Sequence, residues 1–114
     1  MDQRLRRCQR IHRRGDFQKF RSLRPWPGGE GFCAIGRRGE GELSRLAVVA
    51  SRKVGNAVRR NHLKRLVREE FRRNAGLRRS GWDLLVLLRE SSRGMADGVF
   101  RENLRCAFDR GPGH

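Results

Sequence analysis

From Ser51 to Arg73 the chain runs SRKVGNAVRRNHLKRLVREEFRR, and its hydrophobic positions fall into a helical period after Gly55-Asn56. At ~100° per residue, Leu63, Leu66, Val67 and Phe71 share one arc. Asn61, Arg65, Arg68 and Arg72 form a stripe on the other side, with Lys64 on its flank. Asn56 is the candidate N-cap and Gly76 the candidate C-cap. Such a helix has one face for a core and one face of cations for a polyanion.

The remaining pattern supplies the core. Trp82–Leu88 (WDLLVLL) is a near-continuous apolar run, the composition of a central strand covered on both faces. Phe32–Gly36 and Arg45–Ser51 read as strands joined by a polar, glycine-bearing turn, which predicts a hairpin. In the second of these, Leu46, Val48 and Ala50 point one way. Arg45, Ala47, Val49 and Ser51 point the other, a small and mixed face suited to a groove floor. Because the basic helix separates Ser51 from Trp82, those two strands are expected to be parallel neighbours. Met95–Phe108 is a second amphipathic helix with Ala96, Phe100, Leu104, Ala107 and Phe108 inward. Upstream, Asp16–Phe20 is a short helix candidate. Phe17 and Phe20 share a face there, which fits either core or a stacking surface for unpaired bases. Pro25–Gly31 is a loop around Trp26. The expectation is an α+β single-domain sandwich in the order α-β-β-β-α-β-α, with about four strands, one of them short and within 21–30. Residues 1–10 read as a flexible basic arm, 11–110 as the domain and 111–114 as a disordered tail.

Charge narrows the function. The 114 residues carry a formal net charge of +16, almost all of it arginine; Lys19, Lys53 and Lys64 are the only lysines. Like charges at this density destabilise a compact chain and call for a polyanionic partner, nucleic acid above all. No apolar run approaches the roughly 20 residues of a membrane span, and the N-terminus has no signal-peptide core, so a cytoplasmic location is expected. Cys8, Cys33 and Cys106 lack metal-ligand spacing; Cys33 and Cys106 read as small core residues. The carboxylates are scattered. Glu69 and Glu70 point apart on the basic helix and are expected to balance charge through ion pairs. Asp16 and Asp83 begin elements. His12, His62 and His114 have no spaced partner, and His62 reads as a phosphate or base contact. No residue set here can serve as acid and base, and no protein-bound metal site is expected.

The run Val54–Arg68 (VGNAVRRNHLKRLVR) resembles the signature of the bacterial ribonuclease P protein component, position by position and not only in charge. An upstream Asp16-Phe17-Gln18-Lys19 helix, the Arg45-Leu46 strand and the strand opening at Asp83 extend the resemblance over roughly residues 11–108. It implies an accessory subunit of an endoribonuclease that removes the 5′ leader of precursor tRNA. Catalysis would then lie in an RNA subunit using Mg²⁺, which agrees with the lack of catalytic side chains. The family's basic helix docks on the catalytic RNA. Arg52, Lys53, Arg59, Arg60, Asn61, His62, Lys64, Arg65, Arg68 and Arg72 stand at or beside the matching positions. The family's leader-binding cleft maps to Phe17, Phe32, Val49 and Ser51, with Phe20 beside them, and favours stacking for Phe17. The family's crossover at the basic helix is left-handed, against the general rule. This chain departs at His62, where the motif has its second arginine, and at Phe20, which follows Phe17 by three residues where the family uses four. Ala47, Val49 and Ile35 also differ.

Composition and size fit a second class equally well, a structural RNA-binding protein such as a ribosomal one. A DNA-binding helix-turn-helix fits less well, because a strand and not a short helix precedes the basic helix.

Overall fold

The computed structural model describes residues 30–110. The candidate arm, the Asp16–Phe20 helix, Trp26 and the 111–114 tail lie outside them, as does most of the 21–30 segment assigned a short strand. Strands β1 (Phe32–Arg38) and β2 (Arg45–Ala50) are followed by a 3-10 turn at Arg52–Val54 and the long helix α1 (Ala57–Arg73). A four-residue helix α2 (Ala75–Arg78), strand β3 (Trp82–Leu88), a 3-10 turn at Glu90–Ser92 and helix α3 (Asp97–Arg110) complete the order.

Among the described residues the sheet has three strands in the order β1-β3-β2. The expected β1–β2 hairpin does not form. β3 lies between them, antiparallel to β1 with Phe32 opposite Leu88, and parallel to β2 with Ala50 opposite Leu88. The apolar run explains the insertion: only a strand bonded on both edges and covered on both faces can bury it all. Polar contacts hold the start of β2 against the start of β3. Arg45 Nε and Nη2 donate to the two oxygens of Asp83 at 2.8 and 2.6 Å. The buried Ser44 hydroxyl donates to the Leu77 carbonyl and accepts from the Trp82 amide. The expected parallel pairing of β2 and β3 is present.

Register sorts the sheet into two faces. Phe32, Ala34, Leu46, Leu84, Val86 and Leu88 join Leu63, Leu66, Val67 and Phe71 of α1 and Phe100, Leu104, Ala107 and Phe108 of α3 in one core. Edge-to-face aromatic pairs, Phe32–Phe100 at 6.1 Å and Phe71–Phe108 at 6.4 Å between centroids, tie α3 to the sheet and to α1. The other face carries a small cluster of Ala47 and Leu85 with Ile35 and Leu87 beside it.

Three local expectations need correction. α1 ends at Asn74, whose side chain accepts from the Leu77 amide and starts α2, so Gly76 lies inside α2 and caps nothing. Ala96 is exposed, because α3 begins one residue later. Cys106 is exposed on the outer side of α3, while Cys33 is buried as expected.

Candidate nucleic-acid interface

The basic stretch is built from a buried anchor, a glycine turn and a capped helix. Val54 is fully buried and fixes the 3-10 turn, leaving Arg52 and Lys53 in solvent. Gly55 takes φ +146°, ψ −168°, a region closed to side chains, and a Cβ there would meet Arg59 Cβ and Cγ at 3.0 Å. Asn56 then caps α1: its Oδ1 accepts from the Arg59 amide at 2.9 Å. From this start the apolar arc of α1 is driven into the core, with Leu63, Leu66, Val67 and Phe71 all fully buried.

The polar side of α1 divides in two. Toward α3 the cations are paired. Arg101 Nη2 of α3 donates to Glu69 Oε2 at 2.7 Å, and Arg65 Nε of α1 lies 3.5 Å from Glu69 Oε1. Glu70 is buried. Arg105 Nε donates to it at 3.3 Å, and Arg73 approaches at 3.9 Å. The Glu70 carboxylate, through its hydrogen bond and then its charge, raises the Arg105 pKa above the usual guanidinium range. Glu69 and Glu70 thus act as the charge-balancing pair expected of them, across the α1–α3 seam. Arg59 and His62 also turn to this side and meet Ser92, Met95 and Asp97.

Away from α3 the cations are more open. Among the described residues Arg52, Lys53, Arg60, Lys64 and Arg72 have no carboxylate partner. Arg52, Lys53 and Asn61 are exposed, and Arg60, Lys64 and Arg72 are half-buried along their stems. Arg65 is 64% exposed even with Glu69 beside it. Arg68 is half-buried on the same side.

The residues assigned to a leader cleft do not all meet. Val49 is 40% exposed and Ser51 is exposed, at the open end of the second sheet face. Phe32 is 2% exposed and belongs to the helix-side core, so it is not brought to that face. Phe17 and Phe20 lie outside the described residues. On this face Ala47 is buried and Arg45 is engaged by Asp83, while Val49 is exposed and Ile35 and Leu87 are half-buried. Sequence reasoning missed Asp97: it sits in a weak helix start, and nothing in its spacing points to α1.

Among the described residues no group of three or more His, Cys, Asp or Glu side chains is placed to hold a metal ion. No described helix is long and apolar enough to cross a membrane. The arrangement can hold phosphates along one helix and the turn before it.

The family model described as Ribonuclease P matches residues 5–111. The Ribonuclease P protein component of Thermotoga maritima is 41% identical over 88 residues, which is 74% of this chain and 72% of that one. Among solved structures, the RNase P protein from Staphylococcus aureus is similar with a TM-score of 0.79 at 26% identity, covering 89% of this chain and 93% of that one. The RNase P protein from Thermotoga maritima is similar with a TM-score of 0.76 at 36% identity, covering 91% and 98%.

Proposed function

Because the chain belongs to the ribonuclease P protein family, we propose that it is the protein subunit of a ribonuclease P holoenzyme in which α1 and the turn before it dock on the catalytic RNA. The observation that carries this is the division of α1. The side turned away from α3 presents Arg60, Asn61, Lys64 and Arg72, with the largely exposed Arg65 at its margin and Arg52 and Lys53 on the turn before it. The helix is anchored by its buried arc, so these cations are held in fixed register before RNA arrives, which lowers the ordering cost of binding.

The holoenzyme hydrolyses one phosphodiester of precursor tRNA, releasing the 5′ leader and leaving a 5′-phosphate on the mature tRNA. The protein contributes positive charge between two RNAs that would otherwise repel, and a second contact for the single-stranded leader. Phe17, Phe20, Val49 and Ser51 are the leader contacts in this reading, with Phe32 left to the core. Mg²⁺ is assigned to the RNA subunit, as the family resemblance implies. The cytoplasm, where precursor tRNA is made, is its place.

The test is reconstitution. Full-length protein, a bacterial ribonuclease P RNA and precursor tRNA are mixed at low Mg²⁺, and 5′ maturation is followed. Cleavage well above that of RNA alone is expected. No stimulation would sink the assignment and return the chain to the class of structural RNA-binding proteins.

A further inference from the structure

Two cations of the basic stretch spend their donors inward. Arg59 Nη2 donates to the carbonyl oxygens of Ser92 at 2.9 Å and Met95 at 2.8 Å, and its Nη1 lies 3.7 Å from Asp97 Oδ1. Three residues on, and so on the same side of α1, His62 Nε2 lies 2.7 Å from Asp97 Oδ2. The Arg59 and His62 side chains are 26% and 31% exposed, against 64% for Arg65. All their acceptors lie in Ser92–Asp97, the segment leading into α3.

The end of that segment, where α3 begins, is weakly set by its own sequence. Ala96, just before α3, has no side-chain oxygen to cap the first amides. Gly94 precedes it, and Gly98 weakens the first turn. The bonds from Arg59 and His62 do not cap those amides, but they tie the segment to α1. They also act on α1, because Arg60 and Asn61 lie between the two residues that are tied down.

Resting on the RNA-docking reading, we infer that Arg59 and His62, together with Asp97, form a clamp between the first turns of α1 and the start of α3. They are positioning residues that fix Arg60 and Asn61 for RNA, and do not themselves take phosphate. Without the clamp the first turns of α1 keep only the Asn56 cap and the buried Val54 and Leu63 on either side of Arg60 and Asn61, and RNA must order more of them on binding.

The alternative, a His62 that contacts phosphate, predicts the opposite sign at Asp97. Removing a carboxylate beside a phosphate contact would free the imidazole and strengthen RNA binding. Removing a clamp partner weakens it. The affinity of full-length protein for a bacterial ribonuclease P RNA is therefore measured against KCl concentration for wild type, His62→Ala, Asp97→Ala, the double variant and His62→Gln. Both single variants and the double are expected to lose affinity by a similar factor, roughly three- to tenfold, with the salt slope unchanged. His62→Gln, whose amide nitrogen can replace Nε2 as donor, is expected to recover most of the loss. Tighter binding by Asp97→Ala, or a slope reduced by roughly 0.7 to 0.9 in His62→Ala, would overturn the clamp. Amide hydrogen exchange on the free variants provides a readout independent of RNA. Protection in the first turns of α1 and α3 should fall in His62→Ala and Asp97→Ala, and unchanged protection also overturns the proposal. Wild-type protein that fails to stimulate cleavage would instead refute the functional reading, and the clamp would then stand or fall on the exchange result.

Discussion

Gly55 is where the direction of the basic stretch is decided. Its φ of +146° with extended ψ is a combination only glycine adopts without strain, and the space beside it is already taken by the Arg59 stem. Gly55→Ala is expected to lower folding stability by about 1–3 kcal/mol, read from denaturant midpoints at unchanged m. Asn56→Ala, which removes the acceptor for the Arg59 amide, is expected to cost about 1 kcal/mol by the same measurement. Both residues were legible in the sequence, because a Gly-Asn pair before a helical period has few other uses. Cys106 was not. Its type suggested burial, yet it stands two residues after the buried Leu104, on the opposite side of the helix from the core. At single positions, periodicity is the better guide than residue type.

At the scale of elements, α1 separates stability from binding by face. Leu66 is fully buried, and Leu66→Ala is expected to destabilise by about 2–5 kcal/mol. Lys64→Ala is expected to leave stability within about 0.5 kcal/mol and to reduce the salt slope of RNA binding by roughly 0.7 to 0.9. An unchanged slope would mean that this side does not face RNA. The strands teach a different lesson. Trp82–Leu88 was readable to the residue, since a run apolar at all but Asp83 has only one kind of place in a sheet. Its neighbours were not. Alternation tells which face a strand buries but not which strand lies beside it, and β1 and β2, adjacent in sequence, are parted by β3. The contacts that settle the pairing, Arg45 with Asp83 and Ser44 with Leu77 and Trp82, join residues more than thirty positions apart. The α1–α3 seam was half legible in the same way: Glu69 and Glu70 announced ion pairs, while their partners Arg101 and Arg105 lie on another helix.

For the whole molecule, charge sets two salt responses of opposite sign. Asp83, Asp97, Glu69, Glu70 and Glu102 are each within 4.0 Å of an arginine or histidine nitrogen, so these carboxylates are already committed to internal pairs. The cations outnumber the carboxylates in a chain of net charge +16, so repulsion among them is uncompensated until a polyanion binds. At low ionic strength this repulsion acts across the whole domain and opposes folding. Salt near 0.1 M shortens its reach to about 10 Å, and 1 M to about 3 Å. Close pairs such as Arg45–Asp83, bidentate and with a buried carboxylate, are screened far less than the long-range repulsion. The free protein is therefore expected to gain thermal stability as KCl rises from 20 to 300 mM (about 20 and about 300 mM, either side of the 0.1 M screening scale). Its affinity for RNA over the same range is expected to fall steeply, by counterion release. Thermal melts of the protein alone, set beside binding titrations at matched salt, check both signs. A melting temperature that falls with salt would mean that the surface ion pairs outweigh the repulsion, and that the excess charge costs the fold little without RNA.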